Sequence, residues 1–122
     1  SLDIDREVDQ MLIEAAKRGN VVLDSWTMPW LLEEGFKIWL DASEDVRARR
    51  ISSRDGISLD EAYKYLREKE KRTISIYRKL YGFQLGKDLT PFHLIVDVDM
   101  LSADEVFKAV CLVIDNLILK ER

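Results

Sequence analysis

The sequence predicts an α/β fold in which helices flank a small parallel sheet. Three observations carry that expectation. Short, largely apolar runs at residues 21–24, 36–40 and 94–98 read as strands buried on both faces, as strands of parallel sheets are. Longer segments between them repeat apolar residues at steps of three and four, the period of an amphipathic helix. Serines stand in front of three of those segments, where helix caps belong. This alternation implies βαβ units with right-handed crossovers in a single domain.

Taken in order, residues 5–18 form the first helix. Ile4, Val8, Met11, Leu12, Ala15 and Ala16 make one stripe expected to be buried, and Lys17 and Arg18 suit the negative C-terminal end. Gly19 and Asn20 tolerate left-handed backbone and close it. The first strand, 21–24, leads into a connector with Pro29 inside it and a turn of helix at 30–34. Its Trp26, Met28, Pro29 and Trp30 are read as packing beneath the sheet, with base stacking or a partner surface as the alternative. After the second strand, 36–40, Ser43 caps a helix with Glu44 and Asp45 in its positive first turn, ending at Asp55 and Gly56. Ser58 and Glu61 form a capping box that opens the longest helix, from Leu59 to about Tyr81. Its apolar side comprises Leu59, Ala62, Tyr63, Leu66, Ile74, Tyr77 and Tyr81, is interrupted at Glu70, and is expected to break near Arg72 and Thr73. A loop, 82–91, precedes the third strand. Ser102 and Glu105 form another capping box, and the last helix turns Val106, Val110, Val113, Ile114, Leu117 and Ile118 toward the core.

Composition narrows the function classes. Of 122 residues, 47% are apolar and 34% charged, the mixture of a globular chain rather than a disordered one. No apolar run approaches the ~20 residues of a membrane helix. The opening residues Leu2 to Arg6 are polar and acidic and do not read as a signal peptide. A lone cysteine, Cys111, cannot form an internal disulfide and fits a reducing, cytoplasmic setting. Net charge is −4, giving no global drive toward nucleic acid. Ser1 and Leu2 read as a non-native remnant, so the chain is expected to be part of a longer polypeptide.

Charge is concentrated, however. Eleven of the 19 Lys and Arg residues lie between positions 47 and 79, interleaved with acids, as on a salt-bridged helix surface. Within that arm, Arg47, Arg50 and Arg54 stand three and four apart and share one helix face just beyond a strand's C-terminal end. Guanidinium groups pair bidentately with phosphate oxygens, and open α/β sheets bind ligands at that edge. The alternative is that these arginines pair with Glu44, Asp45 and Asp55. His93, at a strand entrance, and Cys111, beside an apolar stripe, read as structural groups.

The order of motifs resembles the archaeal type of cytidylate kinase, a nucleoside monophosphate kinase of the P-loop superfamily. The match runs through the segment 3–9, the Gly-Asn-Val-Val-Leu run at 19–23, the Lys-Ile-Trp-Leu strand at 37–40, the stretch 46–58 read as Val-Arg-Ala-x-Arg-Ile-x-x-Arg-[Glu/Asp]-Gly-Ile-Ser, Tyr81 with Gly82, and the Leu-Ile-Val-Asp strand at 94–97. The resemblance implies a parallel-sheet P-loop-kinase-like fold in truncated form: three strands, flanking helices and a helical lid arm. One partial domain follows, with its core at 3–56 and 82–120 and the arm at about 57–81. It also implies transfer of phosphate from ATP to CMP or dCMP, with Mg-ATP and a nucleoside monophosphate as ligands. Arg47, Arg50 and Arg54 would be catalytic lid contacts to the transferring phosphates, Lys69 and Tyr77 would serve substrate and lid, and Asp24 would lie near the magnesium site, without ligating it directly.

Departures set the limits. No Gly-x-x-x-x-Gly-Lys-[Ser/Thr] loop, the amide cradle for phosphates, occurs in these residues. Where the family has Glu-Gly-Arg, the chain has Asp24, Ser25 and Trp26, and other family arginines fall at Lys69 and Ile76. No cofactor is therefore expected to bind this chain alone, and it is expected to be inactive as it stands. The alternative function is a catalytically degenerate, kinase-derived interaction module. The family's phosphate-loop strand lies between the first two strands found here, so its absence predicts that 21–24 pairs directly with 36–40 or that the open edge drives homo-oligomerisation.

Overall fold

Serine caps fix the helix starts as the sequence implies. In the computed structural model, which describes residues 2–119, Ser43, Ser58 and Ser102 hold extended backbone and accept the main-chain N–H of Val46, Glu61 and Glu105 respectively. Glu105 reaches back to the N–H of Ser102, completing that capping box. The resulting order is α1 (Leu2–Lys17), α2 (Met28–Leu31), β1 (Ile38–Asp41), α3 (Glu44–Asp55), α4 (Leu59–Tyr81), β2 (Leu94–Asp97) and α5 (Ala103–Val113), which passes into a π-helical turn, Ile114–Ile118. No helix among the described residues is long and apolar enough to cross a membrane.

Two packing centres hold the elements. α3 and α4 form a helical hairpin around Ala48, Ala62 and Leu66, with Ile51, Ile57 and Tyr63 against them. Gly56 ends α3 at φ 66°, a left-handed conformation that lets the chain turn directly into Ser58. A second centre gathers aromatic rings where α4 ends. Phe83 stacks on Trp30 at 4.6 Å between centroids and meets Tyr77 and Tyr81, with Met28 and Leu85 buried nearby. β1 and β2 pair in parallel with Ile38 opposite Leu94 and Asp41 opposite Asp97.

Several expectations are corrected. The sheet has two strands rather than three: residues 21–24 form no strand, and Val22 is 96% exposed. Their β-branched composition supplies propensity, but no neighbouring strand supplies hydrogen-bond partners, and propensity alone does not hold a strand. The expected pairing of 21–24 with 36–40 is likewise absent. Without a sheet to lie on, the α1 stripe stays open at Ile4, Val8 and Met11, and α1 meets chiefly α2. Leu117 and Ile118, expected in the core, are also exposed. The small helix after Pro29 forms at Met28–Leu31, not at 30–34. α4 runs unbroken through Arg72 and Thr73, since no Gly or Pro interrupts it.

Candidate functional site

Arg47 and Arg50 of α3 lie near Asp99, at the C-terminal end of the sheet. β1 ends at Asp41 and α3 begins three residues later, while Asp99 lies just past the end of β2. The Asp99 carboxylate accepts the N–H of Ser43 at 2.8 Å, closing the start of α3. That hydrogen bond holds the Asp99 carboxyl below the ordinary carboxylate range, and the charges of Arg50 and Arg47 add to it. Arg47 and Arg50 therefore share one electrostatic environment, at the edge where open α/β sheets take ligands.

Their side chains differ in freedom. Arg47 donates through Nη2 to Glu70 at 3.0 Å and through Nη1 to the carbonyl of Ala42, tying α3 to α4. This explains why Glu70 interrupts the apolar side of α4. Arg54 bonds its neighbour Asp55 twice, at 2.7 and 3.1 Å, and Arg49 pairs with Asp45. Glu44 takes Arg67 from α4. Arg50 is exposed and makes no ion pair among the described residues. Of the three arginines, two are neutralised within the protein and one is available.

The remaining candidates fall elsewhere. Lys69 lies 5.9 Å from the ring centre of Tyr65 on the exposed side of α4. Asp24 and Tyr77 come together in a cavity of about 320 Å³ lined also by Asp5, Asp9, Trp26 and Thr27. Burial pushes the Tyr77 hydroxyl up, and the charges of Asp9 and Asp5 push it the same way. His93 acts structurally, its Nδ1 accepting the N–H of Lys37 while its ring stacks on Phe36.

A residue the sequence reading missed organises that cavity. Asp9 is 7% exposed and accepts two hydroxyl hydrogen bonds, from Thr27 and from Tyr81, each at 2.6 Å. It joins α1, the turn before α2 and the end of α4. Burial and the bond to Asp9 push the Tyr81 hydroxyl up to about 12. Little in the sequence signals it: an acid on a largely polar helix reads as solvated, and only the positions of Thr27 and Tyr81 show it to be buried and bonded.

The residues present do not fit a bound triphosphate. Phosphates need a row of free amides at a helix start. No glycine-rich loop with a Lys and a Ser or Thr opens a helix among the described residues, and at α3, α4 and α5 Ser43, Ser58 and Ser102 each take one N–H of the start. Ser25 takes the N–H groups of Thr27 and Met28 ahead of α2. Nor do His, Cys, Asp and Glu side chains among the described residues form a group of three able to hold a metal ion. Asp24 alone offers at most a contact through water.

Comparison with known proteins gives a consistent result. The model described as the cytidylate kinase-like family matches residues 3–100. Cytidylate kinases of Pyrococcus horikoshii and Pyrococcus furiosus are each 42% identical over 116 residues, covering 94% of this chain and 60% of theirs. The cytidylate kinase of Methanocaldococcus jannaschii is 39% identical over 120 residues, covering 94% of this chain and 67% of its own. The chain thus spans about three-fifths of the length of the Pyrococcus relatives. No solved structure matches.

Proposed function

The chain belongs to the cytidylate kinase-like family, and on that premise we propose that it is the lid-bearing part of an enzyme that moves phosphate from ATP to CMP or dCMP. Phosphoryl transfer is chiefly positioning and charge stabilisation, so the contribution of these residues is a set of cations placed over the sheet edge. Arg50 supplies the available charge. Arg47 is held ready by Glu70 and Ala42, and Arg54 stands further along the same helix. Lys69 belongs to the mobile arm. Tyr77 and Asp24 border the cavity on the monophosphate side, and Asp24 would orient water around magnesium carried in with ATP. The observation that carries this reading is the unpaired Arg50 beside Arg47 at the C-terminal edge of a parallel sheet.

The 122 residues alone are expected to lack kinase activity, because no Gly-x-x-x-x-Gly-Lys-[Ser/Thr] loop occurs in them to hold the phosphates. The ligands are a nucleoside monophosphate and ATP, not nucleic acid, and the compartment is the cytoplasm. The open edge of β1 makes the isolated chain self-associate. A chimera tests the reading. Joined to the portion of the Pyrococcus horikoshii relative that the match leaves out, this chain should phosphorylate CMP, and Arg50→Ala should lower kcat by roughly a hundredfold or more. An active chimera indifferent to Arg47→Ala and Arg50→Ala would contradict the assignment.

A further inference from the structure

Arg47 divides its guanidinium between two parts of the fold. Nη1 donates to the carbonyl of Ala42, the residue after β1, and Nη2 donates to Glu70 on α4 at 3.0 Å. Nε is buried and has no hydrogen-bond partner among the described residues. Nε and Nη2 share one edge of the guanidinium, the edge on which an oxyanion with two free oxygens takes both N–H groups side by side. Glu70 occupies half of that edge through one oxygen and leaves the other half without an acceptor. A buried donor left unpaired is unfavourable, so an anion that reaches both N–H groups can displace the one that reaches only Nη2.

The α3–α4 hairpin has other means of holding together. Ala48, Ala62 and Leu66 form its core, Glu44 takes Arg67, and Asp45 accepts the Tyr63 hydroxyl. The side chains of Arg47 and Glu70 are 37% and 29% exposed, so their pair reaches solvent. Ion pairs of that kind add little stability. What the pair does is cancel a charge one turn from Arg50, at the end of the sheet where the Asp99 carboxylate lies within the field of both arginines.

We propose that Glu70 is an internal stand-in for phosphate, holding Arg47 neutralised until a phosphate group arrives and then giving it up. The incoming group takes Nε and Nη2 together, satisfying the donor that Glu70 leaves unpaired, and the Glu70 carboxylate turns to solvent. A site that rests with one available cation, Arg50, then presents two. Only hydrogen bonds are exchanged, with no proton or covalent bond moved. Glu70 regulates the site through Arg47 and never touches the phosphate. The exchange rests on the reading of the α3 arginines as phosphate contacts, and it adds what Arg47 does before phosphate is bound.

Inorganic pyrophosphate is the probe, titrated by calorimetry into the full chain while the arginine Nε–H signals are followed by NMR. Glu70→Gln keeps the size and the acceptor oxygen but removes the charge. It should bind pyrophosphate about fivefold more tightly than the native chain, the worth of a partly exposed ion pair. With Arg47→Ala present, the same change should bring no gain, which separates release of Arg47 from a general loss of negative charge. The Arg47 Nε–H signal should also move at saturation in the native chain, a readout that needs no Arg47 variant to fold. Equal, weaker or absent binding by Glu70→Gln, a gain that survives Arg47→Ala, or an Arg47 signal that stays in place overturns the proposal. If Arg50→Ala still weakens binding in those cases, the nucleotide reading stands. Binding that Arg50→Ala leaves unchanged, with neither arginine signal moving, overturns both.

Discussion

Asp9 is the residue whose loss should be felt most. Its carboxylate satisfies Thr27, itself 2% exposed, and Tyr81 at once. Asp9→Ala leaves both hydroxyls without their acceptor and should cost about 3 kcal/mol of stability in a denaturant titration. Arg54→Ala, which removes only an exposed pair with Asp55, should leave the thermal midpoint unchanged. Tyr81 adds a pH dependence. Its folded-state value of about 12 lies above the ordinary 10.0, so the fold favours the protonated hydroxyl. The stabilisation is complete below pH 10 and is lost as pH rises through about 12. Thermal midpoints measured from pH 9 to 12 should therefore fall more steeply for the native chain than for Tyr81→Phe. At this scale the sequence showed residue types but not partners. The spacing of Arg47, Arg50 and Arg54 placed them on one face, yet Glu70 and Asp55, which neutralise two of them, come from a different helix and from the next residue. Asp9 escaped notice because an acid on a largely polar helix reads as solvated until its surroundings are known.

Helices were legible and strands only partly so, for a physical reason. A helix start is a local event in which one serine accepts an N–H three residues on, so Ser43, Ser58 and Ser102 announce α3, α4 and α5 by themselves. A strand needs a partner. Residues 38–41 and 94–97 have one in each other, whereas 21–24, of similar composition, has none among the described residues, forms no strand and is mostly exposed. The α3–α4 hairpin should be the most robust unit. Leu66→Ala would open a cavity against Ala48 and Ala62 and cost about 2–4 kcal/mol. Gly56→Ala forces a side chain into φ 66° and should cost about 1 kcal/mol, read from the same denaturant midpoints.

At the scale of the whole molecule, sequence relationship says more about function than local geometry does. The family relationship rests on motifs spread from 3 to 100, and it supplies the chemistry that the local geometry only partly equips. A cationic edge is present in Arg47 and Arg50. A glycine-rich amide cradle with a lysine at a helix start is not found among the described residues. On the proposed reading, these residues supply charge to the phosphates rather than the grip on them. Isothermal titration calorimetry of the folded chain with Mg-ATP, and then with CMP, tests this most directly. The account predicts no Mg-ATP binding in the micromolar range, with or without CMP. A micromolar dissociation constant for Mg-ATP on these 122 residues would contradict it.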